Sequence, residues 1–350
     1  GVIRGQHDRN LWAKNFRNEI IKKSNLPIIK QSVNLELSNH ELPKFFYDST
    51  PCPYRQKGGS VEAEKLLQSF LNKRGENYQF EMSSPITAEK SCSRLSTHLT
   101  YGTISHRAVF QEATKKRDQI KHTNKNFAKS INSFLSRLHW RSHFIQKLED
   151  QPSIEHTSFI PVYDQIREKD EEKLEAWIEG KTGVHFIDAC MIYLRNYGWI
   201  NFRMRAMLAS FASYNLWLDW RYFAPRLAAL FTDFEPGIHY SQIQMQSGTT
   251  GINTIRMYNP YKQAMDQDPL AKFIKSQIPK VKNFPPAFFH NPPKKSLNVN
   301  LFDNEFQKEI INVKETAQYA RKKIFDIRKS QEHKILAKNV YLKHGSRGRG

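Results

Sequence analysis

The segment that decides the fold runs from Gly180 to Pro260. It opens with GKTGVHFIDA at residues 180–189, continues with GWINFRMR at 198–205, and closes with GTT at 248–250 and RMYNP at 256–260. Apolar residues recur at helical spacing between Val184 and Tyr197, and the glycine at 198 is typical of a helix end. The sequence therefore predicts a helix over 184–197 and a second apolar helix from 199 to about 218.

Two arginines, Arg203 and Arg205, fall inside the second predicted helix. Because residues two apart on a helix point to nearly opposite sides, we expect one of these side chains to face inward. A buried guanidinium needs an anionic partner, since burying an unpaired charge costs more than a helix supplies. Asp233 and Glu235 in the following loop are candidate partners, and a charged cofactor is another. The alternative is an ion pair that only joins two helices.

The charge balance favours a polyanionic partner. The 350 residues carry a formal net charge of +20, and the pI is about 9.7. Residues 271–350 alone hold 18 Lys and Arg against 6 Asp and Glu. Such an excess favours phosphate contacts, whose binding releases counterions and is sensitive to salt. A solubilising tail and attraction to acidic membranes are the alternatives, and nucleic acid is the favoured partner.

The cysteines argue against several classes of site. Cys52, Cys92 and Cys190 show no paired spacing, so a disulfide framework, a zinc site and a four-cysteine iron–sulfur cluster are disfavoured. We expect no metal. The same usage fits a reducing compartment, and no apolar run approaches the length of a membrane span. We therefore expect a cytoplasmic protein that does not bind membranes.

Local patterns outside the 180–260 segment predict further elements. Helices are predicted over 60–73, 131–148, 170–179 and within 304–342. Residues 1–25 are basic and suit a helical arm that caps the core or binds a partner, and the sequence leaves that choice open. Residues 26–57 contain four prolines and are predicted as an extended linker. Residues 78–91 are predicted to be irregular.

Three short motifs occur in the same order as in a known flavoprotein family. The 180–260 segment matches the family in its Lys-Thr-Gly turn, Gly-Trp, paired arginines, Asp-Phe-Glu, Gly-Thr and Arg-x-x-Asn-Pro. SCSRLS at 91–96 resembles the family's Thr-Ser-Arg-Leu-Ser phosphate-binding turn, and LHWR at 138–141 is similar to its Trp-Arg pair. Over roughly residues 58–281, the chain therefore resembles the flavin-binding helical domain of the photolyase/cryptochrome family.

The resemblance implies an all-α fold in which helical lobes hold FAD in a bent form. Full-length members usually begin with a nucleotide-binding α/β domain that holds an antenna pigment. Nothing before residue 58 resembles such a domain, so we expect a short form. The expected organisation is an N-terminal arm and linker at 1–57, a photolyase-like FAD-binding domain at 58–282, and a basic helical extension at 283–350.

The resemblance also implies which residues hold FAD. Arg205 would lie beside the isoalloxazine ring, paired with Asp233, because one-electron flavin chemistry needs nearby positive charge. Glu235 would reach the ring edge, and His239 would face the reactive ring nitrogen and tune its protonation. Serine hydroxyls and the amides that begin a helix suit a pyrophosphate. The remaining contacts to phosphate, adenine or flavin would come from Tyr78, Ser93, Arg94, Leu95, Ser96 and Arg141.

The substrate side departs from the family pattern. Trp140 remains as a platform on which a flipped base stacks. Arg137 stands where dimer-repairing members place a glutamate, and Met245 stands near their second stacking tryptophan. Phe202 replaces the family's asparagine. Trp140, Arg137 and Met245 are nevertheless our candidate catalytic residues at this side.

Two further tryptophans align with the chain through which family members photoreduce their flavin. They are Trp177 and Trp220, which we also treat as candidate catalytic residues. The member nearest the flavin would fall within 241–245, where the sequence has no tryptophan, and Tyr240 is the candidate substitute. An isolated tryptophan is more often a core residue, so both interpretations stay open.

The leading hypothesis is a short light-dependent DNA repair enzyme, a deoxyribodipyrimidine photolyase-like lyase. With reduced FAD it would act on pyrimidine dimers in damaged DNA, single- or double-stranded, as a monomer. The rival hypothesis is a cryptochrome-like blue-light photoreceptor that keeps FAD without repair. The absence of the usual dimer contacts favours the rival, whereas the positive charge favours nucleic acid. A third hypothesis is a basic helical nucleic-acid-binding protein without flavin.

Overall fold

The computed structural model describes residues 2–5, 8–22, 51–291 and 308–345. Within these ranges the chain consists of helices and turns, and its only β pairing is an isolated bridge between Glu168 and Leu218. The prediction of an all-α fold is confirmed. None of the helices in these ranges has the length and apolar character needed to cross a membrane.

The helices follow one another with short connections. In chain order they are α1 Arg9–Ile20, α2 Ser60–Ser69, α3 Tyr78–Glu81, α4 Pro85–Ser91, α5 Ser96–Thr100, α6 His106–Ile120, α7 Lys125–Asp150, α8 Glu171–Ile178, α9 His185–Tyr197, α10 Phe202–Ser210, α11 Trp220–Ala229, α12 Pro236–Ser247, α13 Pro260–Gln267, α14 Lys272–Gln277, α15 Pro286–His290, α16 Val313–Lys329 and α17 Gln331–His344. Wider π-turns extend α2 over Phe70–Arg74 and α10 over Phe211–Asn215, and 3₁₀ turns occupy Pro152–Glu155, Pro161–Tyr163 and Pro279–Val281.

The helix pair at the centre of the fold forms largely as its sequence predicts. α9 ends at Gly198, whose φ of 64° is left-handed and whose N–H donates to the carbonyl of Leu194 at 2.8 Å. A Cβ at this glycine would lie 2.4 Å from Thr232 Cγ2. Both constraints require glycine.

The start of the second helix was predicted too early. α10 begins at Phe202 rather than at residue 199, and Asn201 precedes it in extended conformation. The side-chain amide of Asn201 donates to the carbonyls of Met82 and Ser83 at 3.1 and 2.7 Å. Because these contacts come from a distant segment, the local pattern does not reveal them.

The prediction of an irregular segment over 78–91 was wrong, since α3 and α4 lie there. Ser84 begins α4 as its N-cap, accepting a hydrogen bond from the amide of Ile86, and Pro85 takes the first helical position. The hydroxyl of Ser84 also donates to the carbonyl of Gln267 at 2.6 Å. The two helices are too short to give a periodic apolar signal.

Two hydrophobic clusters form the main core, and they meet at the predicted phosphate turn. The larger cluster is built around α9 to α12 and includes Trp177 and Trp220. The second is built around α2, α6 and α7 and includes Tyr78 and Leu95. Cys92 packs against both clusters. The residues that follow Cys92 therefore lie at the junction of two packed bodies.

Helices from both ends of the chain pack on this core. α1 buries Trp12, Phe16 and Ile20. α16 buries Ala320 and Ile324 in a smaller cluster that also contains Tyr163 and Tyr214. Much of the predicted linker (23–50), part of the predicted extension (292–307) and the last five residues lie outside the described residues.

Candidate functional site

The predicted phosphate turn has an unusual backbone. Arg94 has a φ of 63°, a left-handed conformation that is uncommon for a residue with a side chain. Ser93 Oγ accepts a hydrogen bond from the amide of Leu95 at 3.4 Å, and α5 begins at Ser96. Such a conformation persists only where the surroundings hold it, and it often accompanies a functional site.

Arg74 stabilises much of this backbone conformation, a role that was not predicted from the sequence. Its guanidinium donates hydrogen bonds at 2.7 to 3.3 Å to the hydroxyl of Ser69 and the carbonyls of Leu66, Lys90, Cys92 and Ser93. The side chain therefore ties the π-turn after α2 to the backbone that enters the phosphate turn. Its only sequence signal is a basic residue at the end of a helix, which is common.

Both arginines of the second helix are half-buried, and Arg205 is the one that forms an ion pair, with Asp233 as its partner. Nη1 and Nη2 of Arg205 lie 3.0 and 2.9 Å from the two carboxylate oxygens, and Nε donates to the carbonyl of Ile200 at 2.7 Å. The guanidinium also lies 4.2 Å from the ring centroid of Phe231. The predicted pairing is confirmed, and its planar two-bond geometry fixes the arginine in place.

The electrostatics of Asp233 follow from this pairing. Its side chain is 3% exposed, and burial alone would raise the pKa of the carboxyl. The charge and hydrogen bonds of Arg205, with a hydrogen bond from Ser96, outweigh burial and lower the pKa. The pair thus stays ionised at neutral pH, and it connects α10 to the first residue of α5.

A second ion pair lies beside the first. Nη2 of Arg141, on α7, lies 3.3 Å from Glu235 Oε2 and donates to the carbonyl of Leu99 at 3.3 Å. Glu235 precedes the first residue of α12. We call the phosphate turn and the two pairs, Arg205–Asp233 and Arg141–Glu235, the paired cluster. It brings together five helices, α5, α7, α10, α11 and α12, or the loops that flank them.

His239 is buried behind this cluster on α12. Burial lowers its pKa to about 4, while a hydrogen bond to the carbonyl of Ala224 opposes the shift. At neutral pH the ring is therefore neutral, with Nε2–H donating to that carbonyl at 2.9 Å and Nδ1 left as an acceptor. The rings of Phe234 and Tyr240 lie 5.4 and 5.2 Å away, centroid to centroid.

The substrate-side residues are less tightly held. Trp140 on α7 is 38% exposed, and its ring stacks on Phe144 with centroids 5.6 Å apart. Arg137 is exposed one turn earlier, and Met245 is half-buried on α12. α7 and α12 approach closely, since a Cβ on Gly237 would lie 2.7 Å from the Cα of Ile145.

Tyr78 packs in the second hydrophobic cluster near the substrate side. Its ring lies edge-on to Phe70 and Phe134, with centroids 5.7 and 6.3 Å apart. Burial raises the pKa of its hydroxyl, and the nearby charge of Arg137 opposes that shift. The two predicted residues are thus close neighbours, although Arg137 was assigned to substrate and Tyr78 to cofactor.

The two candidate redox tryptophans are buried, but their surroundings differ. Trp220 donates from Nε1 to Ser158 Oγ at 2.9 Å, and its ring centroid lies 6.3 Å from that of Tyr240. Trp177 packs edge-on against Phe223 at 5.6 Å. A continuous row of rings therefore runs from His239 through Tyr240 to Trp220.

The surroundings of Arg94 show whether the phosphate turn suits an anionic cofactor. Arg94 is 9% exposed, its guanidinium lies 3.8 Å from the ring centroid of Trp199, and burial lowers its pKa. Among the described residues it forms no ion pair, and Nη1 has no hydrogen-bond partner. A buried cation with an unused donor fits a phosphate group at this turn.

Comparison with known proteins gives the same identification. A family model for the FAD-binding domain of DNA photolyase matches residues 134–333. A deoxyribodipyrimidine photo-lyase of Streptomyces griseus is 29% identical over 241 residues, covering 69% of this chain and 50% of the relative. Cryptochrome-2 of Gallus gallus is 26% identical, covering 69% of this chain and 42% of the relative. The chain therefore belongs to the family of FAD-binding domains of DNA photolyase.

A solved structure supports the fold assignment. The archaeal photolyase of Sulfolobus tokodaii, crystallised with two FAD molecules, has a TM-score of 0.61 and 29% sequence identity, covering 77% of this chain and 57% of that one. The present chain spans about half the length of the curated relatives it matches. The fold and family are thereby established for the shared region.

Proposed function

We propose that the paired cluster holds FAD. The backbone of Ser93 to Ser96 and the side chain of Arg94 would bind its phosphates, because this turn combines helix-entry amides with an unpaired buried cation. Arg205, fixed by Asp233, would place a permanent positive charge beside the isoalloxazine ring. Arg141 and Glu235 would contact the ring edge or phosphates, and Tyr78 would line the far side. His239 would offer its free Nδ1 as a hydrogen-bond acceptor.

On this basis we propose light-dependent repair of pyrimidine dimers in DNA. When bound in its reduced state and excited by near-UV or blue light, FAD would supply one electron to the dimer, which would return it after its ring has split. Trp140 would stack the flipped base, Arg137 would contact its phosphate or carbonyl oxygens, and Met245 would pack against it. The observation that carries this proposal is the doubly hydrogen-bonded Arg205–Asp233 pair next to the phosphate turn.

Electron supply to the cofactor would use the aromatic row. Trp220 lies next to Tyr240, which adjoins His239, so Tyr240 would replace the missing tryptophan nearest the flavin. Trp177 lies beside Phe223 and would join the route further out. The charge of +20 supports damaged DNA as the partner, single- or double-stranded, bound by a monomer in the cytosol or nucleoid. The division at residues 57 and 282 stays a prediction.

A photoreceptor role is the second candidate. It is favoured by the substrate side, where Arg137, Phe202 and Met245 replace the residues that dimer-repairing members use. A cryptochrome is among the relatives. Such a protein would keep the paired cluster and the aromatic row, while signalling through a partner instead of repairing DNA.

An illuminated repair assay separates these functions. After flavin is confirmed by absorbance, the protein is given dimer-containing oligonucleotides, single- and double-stranded, in light and in darkness. Light-dependent restoration of intact pyrimidines is expected for the repair function. A yellow protein that photoreduces but repairs nothing would support the photoreceptor. A colourless protein that binds oligonucleotides would contradict both and leave a flavin-free nucleic-acid-binding protein.

A further inference from the structure

The N-terminal helix α1 brings a cation onto the exposed tryptophan. Trp12 is buried against α7, with its ring centroid 5.3 Å from that of His139 and 5.5 Å from that of His143. One turn earlier, Arg9 places its guanidinium carbon 5.3 Å from the ring centroid of Trp140. The position of Arg9 is therefore set by a packed helix and not by a free terminus.

Two more cations converge on the same place from other helices. Lys147 of α7 and Lys343 of α17 line one shallow cleft together with Arg9. Lys147 Nζ faces aromatic rings, 5.4 Å from the centroid of Phe144 and 5.7 Å from that of Phe159. We call Arg9, Lys147 and Lys343 the cationic cleft. It adjoins Trp140, because Arg9 contacts both.

The cleft holds more positive charge than the described protein residues neutralise. Among those residues, none of its three cations takes part in an ion pair. One carboxylate, Asp150, also lines the cleft and accepts a hydrogen bond from Gln146 at 2.8 Å. The arrangement contrasts with the paired cluster, where each central arginine has its own carboxylate.

Burial disfavours the charges of Arg9 and Lys147 in the free protein. Burial, with repulsion from Arg9, lowers the pKa of Lys147 to about 8, and burial lowers the pKa of Arg9. Burial and nearby cations also keep the adjacent His143 and His344 neutral, with pKa values of about 2 and 3. A bound anion would relieve this penalty, because it would supply the counter-charge that the described residues do not.

We propose that the cationic cleft binds a backbone phosphate of a nucleic-acid strand whose base lies at Trp140. Arg9 would offer a two-pronged donor, and Lys147 and Lys343 would act as point charges. A phosphate contact of this kind fixes the path of the strand without reading its sequence. The assignment rests on the proposed function, because it makes α1 part of the same nucleic-acid face.

The test is the salt dependence of binding to an undamaged oligothymidine strand, followed by fluorescence anisotropy. For the double variant R9Q/K147Q we expect about tenfold weaker binding at low salt. The slope of log K against log salt should fall by about 0.7, since the cleft contacts one phosphate and each single-strand phosphate contact contributes about 0.7. The charge-retaining variant R9K/K147R should restore most of the slope. Circular dichroism and thermal unfolding confirm that each variant is folded.

Arg226→Gln, which removes one positive charge where the double variant removes two, is the surface control. Arg226 is exposed on α11 and already paired with Glu171 and Glu175, so its loss lowers the net charge without touching the cleft. We expect it to leave the slope within 0.3 of the wild type, roughly the uncertainty of one partial contact. If R226Q and R9Q/K147Q lowered the slope equally, binding would depend on overall charge, and the proposal that the cationic cleft binds a phosphate would be wrong.

Failure of the cleft and failure of repair give different results. If R9Q/K147Q keeps the wild-type slope while the wild type repairs dimers in light, the cleft is wrong and repair stands. If the variant shows the expected reduction in slope but the wild type repairs no dimers, the phosphate site is supported and the repair function is wrong. A wild type that binds no oligonucleotide at all contradicts both.

Discussion

The paired cluster and the cationic cleft each include a residue of α7, Arg141 and Lys147, yet the two regions differ in how their charges are neutralised. In the paired cluster, Arg205 and Arg141 each face a carboxylate within 3.3 Å. In the cleft, Arg9 and Lys147 face aromatic rings. Charges that are neutralised within the protein build a fixed site, whereas charges that no described residue neutralises are available to a ligand. Removing a charge should therefore destabilise the first region and stabilise the second.

Asp233→Ala should give the largest effect. It leaves Arg205 without its partner in a largely buried position, so we expect the free energy of unfolding of the apoprotein to fall by about 3 kcal/mol. Flavin absorbance of the purified protein should be lost as well, because the arginine is no longer held in one orientation. Urea unfolding and absorbance spectra measure the two effects.

Glu175→Gln is the control for that variant. Glu175 pairs with Arg226 at the surface, and an exposed pair contributes at most about 1 kcal/mol. If Asp233→Ala lowered the free energy of unfolding no more than Glu175→Gln does, the paired cluster would not be a fixed site. The contrast with the cationic cleft would then fail.

Arg74→Met should give the next largest effect. It removes donors from the carbonyls of Cys92 and Ser93 beside the strained Arg94, so the free energy of unfolding should fall by about 2 kcal/mol. Flavin affinity should fall with it, because the phosphate turn loses its support. Lys73→Met, an exposed neighbour, should change neither quantity by more than about 0.5 kcal/mol. If Arg74→Met and Lys73→Met changed the free energy of unfolding and the flavin affinity equally, Arg74 would have no role in supporting the phosphate turn.

The buried His239 makes the free energy of unfolding depend on pH in the acid range. Its pKa is about 4 in the folded protein against 6.5 in the unfolded chain. Between these values the unfolded chain holds a proton that the folded protein lacks, so stability is lost as pH falls below 6.5. His239→Gln should therefore reduce the slope of unfolding free energy against pH, between pH 4.5 and 6, by about 1.4 kcal/mol per pH unit. Urea unfolding at several pH values measures the slope.

The exposed His122 provides the comparison for that slope. His122→Gln replaces an imidazole that is exposed in the loop between α6 and α7, and serves as the surface control. Other buried histidines, including His106 and His185 with pKa values of about 4, act in the same direction. An unchanged slope in His239→Gln would mean that the ring is not buried in its neutral form.

The two regions also differ in how far the sequence predicts them. The helix end at Gly198 and the need of an inward arginine for an anionic partner were predictable from local signals, whereas the family resemblance singled out the pairing of Arg205 with Asp233. Arg74 and Arg9 were not predictable, because their contacts join segments that no periodicity relates. The start of α10 was misplaced for the same reason, since Asn201 is held by residues near 82. Residue type and spacing thus indicate charge that is paired within a motif, but not charge that tertiary packing brings together.

Lys147→Met tests the cleft in the free protein and should give the smallest effect, of opposite sign. The pKa of Lys147 is about 8 when folded against 10.5 when unfolded, so its cost is fully present below pH 8 and disappears as pH rises towards 10.5. Methionine keeps the apolar stem against Phe144 and Phe159 and removes the charge. We expect the free energy of unfolding at pH 7 to rise by about 1 kcal/mol, after allowing for the solvent that reaches this half-buried side chain. Urea unfolding at pH 7 measures the gain, which should vanish near pH 10.

A loss of stability at pH 7 would show that the charge of Lys147 is already stabilised within the protein. Because Lys147→Met should also weaken oligonucleotide binding, a gain in stability together with a loss of affinity would show a lysine that costs the fold and serves the ligand.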